Sequence, residues 1–228
     1  MQIRVLFFWL AALAALTGCG TAPKEAPKAA APARDTAPST PAEAPDPRPV
    51  IAAFGDSLTA GYGVEAGLSY PDWLQKRLDQ ENLAFRVVNL GISGDTTSGG
   101  VARFDEALRH QPSAIILALG GNDGLRGLPL EATRANLAEM IDRAQAANVP
   151  VLLGGMTLPR NYGADYIRDF ENIYKNLARE KKISLIPFLL EGVATDPKLM
   201  QNDAIHPTAE GNRRVAATVF QYLRPLLK

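Results

Sequence analysis

Two hydrophobic periods alternate along the chain. Short runs that are apolar at nearly every position read as strands buried on both faces: Val50-Ile51-Ala52-Ala53, Ala84 to Leu90, Ala114 to Leu119, Val149 to Leu153 and Ile183 to Ile186. Between them, apolar residues recur at helical spacing. Trp73, Leu74 and Leu78 mark a helix from a Ser69 cap to about Asn82, and Val101, Phe104, Ala107 and Leu108 mark one from about Ser98 to His110. Pro129 and Glu131 open a third helix through Ala147, and Ile167, Phe170, Ile173, Tyr174 and Leu177 lie inward on a fourth, over 165–181. An irregular stretch from Pro187 to Asp203 leads to a last helix from Pro207 to Leu223. Strands that alternate with amphipathic helices predict an α/β fold, a three-layer α/β/α sandwich around a five-stranded parallel sheet of flavodoxin-like order.

Parallel strands bring the loops at their carboxyl ends to one edge, where open α/β sheets build their sites. Three such loops carry small or polar groups: Gly55-Asp56-Ser57 with the turn Gly61-Tyr62-Gly63, Gly91 to Thr97, and Gly120 to Gly124. Ser57, Gly94 and Asn122 are thereby expected at a common edge, and Asp203 and His206 precede the last helix on the same side. A serine hydroxyl is a poor nucleophile until a base within hydrogen-bond reach takes its proton. His206 can be that base. The three-residue spacing lets one turn set the Asp203 carboxylate against Nδ1 while Nε2 faces Ser57. Pro207 is expected to start the last helix at a favoured first position. Asp56, Asp95 and Asp123 are expected to brace the loops by hydrogen bonds, and His110, the other histidine, suits a surface role at a helix end.

Charge narrows the partners. The chain has 24 basic and 24 acidic residues and no basic run, which argues against nucleic acid. Gly61, Gly63 and Gly67 miss the spacing of a dinucleotide fingerprint, and the sequence has no phosphate loop, zinc-type His-Glu-x-x-His or paired cysteines. No cofactor or metal is implied. The Gly-x-Ser-x-Gly elbow of α/β-hydrolases is absent as well.

Gly-Asp-Ser-Leu from Gly55, Ser-Gly-Asp-Thr from Ser93, Gly-Gly-Asn-Asp from Gly120 and Asp-x-x-His-Pro from Asp203, in that order, resemble the four blocks of the SGNH, or GDSL, hydrolases. The likeness runs over essentially the whole domain. The wording of the second and third blocks is similar to the bacterial thioesterase I, lysophospholipase L1 and arylesterase group. The resemblance implies the SGNH hydrolase fold and an acyl-enzyme on Ser57, with His206 as base and Asp203 as its partner. It also implies an oxyanion hole from the Ser57 and Gly94 backbone N–H groups and the Asn122 amide. Carboxylic esters and thioesters are the implied substrates, among them lysophospholipids, aryl esters and acyl thioesters. Leu125, Leu128, Pro129 and the loop Met156-Thr157-Leu158-Pro159 are expected to line an acyl groove. An O-deacetylase of envelope polysaccharide is the alternative within the family. A catalytically silent binding lipoprotein is the alternative outside it.

The N-terminal part departs from that group. Arg4 and the apolar run Val5 to Leu16 read as a signal segment over 1–18, since a membrane span needs about 20 apolar residues. Leu16-Thr17-Gly18-Cys19 resembles a bacterial lipobox, which implies lipidation of Cys19, the single cysteine. Residues 19–48 then form a tether rich in alanine and proline, too poor in large apolar side chains to fold, and 49–228 the hydrolase domain. Because Gly20 stands where an aspartate would resemble an inner-membrane retention signal, the expected address is the outer membrane facing the periplasm. The domain is expected to act as a monomer on a small ester or lipid substrate.

Overall fold

The computed structural model describes residues 46–227. The signal segment, Cys19 and the tether up to residue 45 lie outside the described residues. Among the described residues no helix is long and apolar enough to cross a membrane.

Strand β1, Val50–Gly55, is buried at every position, and β3, Ala114–Ala118, is as well. Their unbroken apolar runs are what a central strand with helices on both faces requires. Ile115, Ile116 and Leu117 are fully buried, and removing each from water contributes about 1.5–3 kcal/mol. With β2 (Arg86–Gly91), β4 (Val151–Gly154) and β5 (Ser184–Ile186) they form one sheet of order β2-β1-β3-β4-β5, every neighbouring pair parallel. The chain reverses direction across the sheet between β1 and β3, the switch point at which flavodoxin-like sheets open a crevice.

Seven α-helices complete the domain: α1 (Ser57–Ala60), α2 (Tyr70–Gln80), α3 (Thr97–Arg109), α4 (Gly121–Leu125), α5 (Leu130–Ala146), α6 (Ala164–Lys181) and α7 (Ala209–Leu223). α2 packs on α7, and α5 packs on both α3 and α6, giving the expected three layers. Leu74 and Leu78 of α2, Phe104 of α3, Phe170 and Tyr174 of α6, and Val215 and Val219 of α7 supply the buried faces. Ser69 caps α2 as expected and shares a capping box with Asp72.

The structure differs from the sequence expectation at four places on the carboxyl edge. The turn after β1 and the loop after β3 each wind into a short helix, α1 and α4. The last helix starts at Ala209 instead of Pro207. Thr208 is its cap, accepting from Gly211 N–H at 3.2 Å, while Pro207 is held outside by an antiparallel bridge to Met200. Met156 and Leu158 are buried in the core, so that part of the expected acyl groove is packing.

Candidate active site

The nucleophile's position follows from the end of β1. Asp56 is the N-cap of α1, its Oδ1 accepting from Leu58 N–H at 3.0 Å, so Ser57 becomes the first helical residue. A backbone N–H at that position has no carbonyl four residues back to serve. The Ser57 N–H is therefore free for a ligand oxygen while its side chain stands at the carboxyl edge.

His206 and Asp203 come from the loop between β5 and α7. Asp203 Oδ1 accepts from the Ile205 and His206 N–H groups, both at 3.0 Å, and Oδ2 lies 2.7 Å from His206 Nδ1. Burial alone would raise this carboxyl, but the backbone and ring N–H bonds of His206, the Ile205 N–H and the histidine's charge hold it at about 2. An ionised carboxylate can only accept, so Nδ1 carries a proton; in the neutral ring of that tautomer Nε2 presents a lone pair. Nε2 lies 2.9 Å from Ser57 Oγ. The structure thus brings the two ends of the domain, 149 positions apart in sequence, into one hydrogen-bonded line.

Gly94 and Asn122 arrive from the two neighbouring strands. Gly94 sits at φ +81°, a left-handed backbone that glycine adopts without strain. Asn122 lies in the first turn of α4, and its Nδ2 donates to Asp95 O at 2.8 Å, one residue beyond Gly94. Nδ2 also makes a longer, weaker bond to Asp56 Oδ2 at 3.4 Å. Arg126 Nη2 donates to Gly94 O at 2.8 Å, holding the loop from the other side.

The three aspartates brace the edge as expected. Asp123, buried, accepts from Thr97 N–H at 2.9 Å and from Thr97 Oγ1 at 2.6 Å. Asp95 accepts from Arg103 Nε at 2.7 Å, and the same guanidinium donates to Leu90 O at 2.8 Å and Gly55 O at 2.9 Å while lying over the Phe54 ring. Arg103 therefore knots the ends of β1 and β2 to the Gly94 loop. Sequence reasoning missed it together with Thr97 and Arg126. A charged residue beside Phe104 on the buried side of α3 was the one available signal, since Arg103's partners are mostly distant backbone carbonyls. Tyr62 was also missed as a site neighbour; its ring packs on the His206 imidazole with centroids 4.6 Å apart. His110 lies at the C-terminal cap of α3, on the way into β3 at the opposite edge of the sheet.

Asp56 carries a testable electrostatic consequence. Burial pushes its carboxyl up to about 6, against the opposing pull of the Leu58 N–H and the His206 charge. The folded state then holds this proton more tightly than the unfolded chain does. The stability it contributes is complete below about pH 4 and is lost as pH rises through about 6, a fall of at most about 3 kcal/mol. Asp56→Asn keeps an oxygen for the cap and removes the titration. Urea unfolding at about pH 4.5 and 7.5 is expected to show the variant gaining on the wild type at the higher pH. A difference independent of pH contradicts this assignment.

Among the described residues no cluster of three His, Cys, Asp or Glu side chains is placed to hold a metal ion. A serine hydroxyl hydrogen-bonded to a histidine that an aspartate holds in place fits acyl transfer.

Known proteins point the same way. The model of the GDSL-like lipase/acylhydrolase family matches residues 53–214. Esterase TesA of Pseudomonas aeruginosa is 43% identical over 174 residues, covering 76% of this chain and 87% of that protein. The thioesterase 1/protease 1/lysophospholipase L1 of Escherichia coli is 40% identical over 175 residues, 76% of this chain and 83% of that one. The crystal structure of AlinE4, an SGNH-hydrolase family esterase, superimposes with a TM-score of 0.66 at 42% identity, covering 79% of this chain and 97% of its own.

Proposed function

We propose, given that the chain belongs to the GDSL-like lipase/acylhydrolase family and is an esterase of the SGNH hydrolase type, that it hydrolyses carboxylic esters and thioesters of apolar acyl groups through an acyl-enzyme on Ser57. Ser57 Oγ attacks the acyl carbon as its proton passes to His206 Nε2. The imidazolium, held by Asp203, then gives that proton to the departing alcohol or thiol. Water attacks the acyl-enzyme with His206 again as base, releasing the acid and restoring Ser57. The Ser57 and Gly94 N–H groups and the Asn122 amide hold the oxyanion of both tetrahedral intermediates. The observation that carries this reading is the line from Asp203 through His206 to Ser57, at 2.7 and 2.9 Å.

Exposed apolar side chains support the substrate class. Among the described residues the large ones are Tyr62, Ile92, Leu128 and Ile205. Ile92 and Ile205 lie on the loops that hold Gly94 and His206, and Tyr62 and Leu128 follow the short helices that hold Ser57 and Asn122. Such a collar favours an acyl chain or aryl group, as in lysophospholipids, aryl esters and acyl thioesters. The test is hydrolysis of p-nitrophenyl esters from acetyl to palmitoyl, with lysophosphatidylcholine alongside. The expected result is a maximum at medium or long chains, and a loss of about tenfold or more on those chains alone in Leu128→Gln. Activity confined to acetyl esters contradicts it and favours the polysaccharide O-deacetylase.

The same reading sets the domain on a lipidated Cys19 and its tether, as a monomer at the outer membrane facing the periplasm. Cys19→Ser is expected to release activity from the membrane fraction into the soluble envelope fraction. An unchanged distribution sinks the anchor and leaves the chemistry standing.

A further inference from the structure

The loop that carries the acid and base has little packing to hold it. Asn202, Asp203, Ala204 and Ile205 are all exposed, and Ala204 adopts a left-handed backbone at φ +56°. Below them the loop is closed by the Met200 to Pro207 bridge and by Thr208 N–H donating to Leu199 O at 2.8 Å. Neither contact reaches the nucleophile; beside the Tyr62 ring on His206, hydrogen bonds fix the loop against it.

Gln201 supplies them. Within the loop its backbone N–H donates to His206 O at 2.8 Å and its carbonyl accepts from Ala204 N–H at 3.0 Å. Its side-chain Nε2 donates to Pro207 O at 2.9 Å and to Tyr62 O at 2.8 Å. The last bond crosses 139 positions of sequence to the turn behind the nucleophile, where Tyr62 N–H donates to Ser57 O at 3.0 Å. Two hydrogen bonds thus connect the Gln201 amide to the Ser57 backbone, and both amide protons are in use. Gly63 makes room for the contact. A Cβ there would clash with Gln201 Oε1, and φ is +75°.

We propose that Gln201 is a positioning residue for acyl transfer. Its side-chain amide locks the Asp203 and His206 loop to the turn after Ser57 and so sets the distance from Nε2 to Oγ. The proposal rests on the serine-esterase reading above. A misplacement of reacting groups by about 1 Å can cost about 10²-fold in rate, and a loop with four exposed residues in a row can shift that far without disturbing the core.

Gln201→Met keeps the length of the side chain and removes both bonds; Gly63→Ala pushes the same amide away from the other side. In the full chain, each is expected to lower kcat for p-nitrophenyl butyrate by about tenfold to 10²-fold, with KM within about twofold and the thermal midpoint of Gln201→Met close to wild type. Because both break one contact, the double variant should fall little below the weaker single one. Losses that multiply, or a Gln201→Met enzyme with kcat within twofold of wild type, overturn the proposal. If Gln201→Met does not fold, Gly63→Ala alone decides between a kcat loss and none. Ser57→Ala assayed alongside separates the two claims: activity surviving in it defeats the serine-esterase reading, whereas its loss with an unaffected Gln201→Met defeats only the role of Gln201.

Discussion

Ser57→Ala is expected to lower kcat on a good ester substrate by about 10⁴-fold or more while leaving the thermal midpoint within a few degrees of wild type. Among the described residues the hydroxyl bonds only to His206 Nε2, at 2.9 Å, and His206 keeps its bond to Asp203 when the hydroxyl goes. Alanine suits the first position of α1, and the Asp56 cap, which bonds to Leu58 N–H, is untouched. Any residual rate comes from the oxyanion donors and substrate binding, which survive loss of the nucleophile. A serine that merely shaped the turn after β1 would give the opposite pattern, a modest stability change with activity retained. Parallel kcat and thermal-melt measurements separate the two.

Asn122→Ala is expected to lower kcat by about 10²- to 10³-fold, roughly 2.7–4 kcal/mol of transition-state stabilisation, with little change in KM. In that role its amide is aimed before substrate arrives, because the 2.8 Å bond to Asp95 O fixes one proton while the other makes only the weak 3.4 Å bond to Asp56 Oδ2. The donor therefore acts on the charge that develops in the transition state more than on the neutral ester. Asn122→Asp should do at least as much harm, since an ionised carboxylate there can only accept and sets a negative charge against the oxyanion. A fall of less than about fivefold in kcat for Asn122→Ala would falsify its assignment as an oxyanion donor.

The strands were legible because each is apolar on both faces and short, as the fully buried runs at Val50 and Ala114 show. Parallel topology then carried the site with it: Ser57, Gly94 and Asn122 stand at one edge because their strands end there. The short helices at Ser57 and Gly121 were not legible. Gly121-Asn122-Asp123-Gly124 is a poor helix former, and what winds it is tertiary, a left-handed Gly120 and a buried Asp123 bonded to Thr97 on α3. The start of α7 was misplaced because Pro207 is a good first residue taken alone. Its bridge to Met200 and the Thr208 cap outweigh that preference. Met156 and Leu158 read as groove residues because they follow a strand end, yet Leu158 packs against Gly124 in the core. Arg103 escaped notice because two of its three hydrogen-bonding residues are backbone carbonyls 13 and 48 positions away. Side chains that bond to distant backbone leave no spacing in the sequence.

A serine that forms a covalent acyl-enzyme also reacts with an alkyl fluorophosphonate, and intact-mass analysis reads that adduct on Ser57. One adduct per chain is expected, mapped by peptide sequencing to Ser57 and absent from Ser57→Ala, with esterase activity lost in step with labelling. Hydrolysis that continues in fully labelled protein, or a label that maps to another residue, would contradict it.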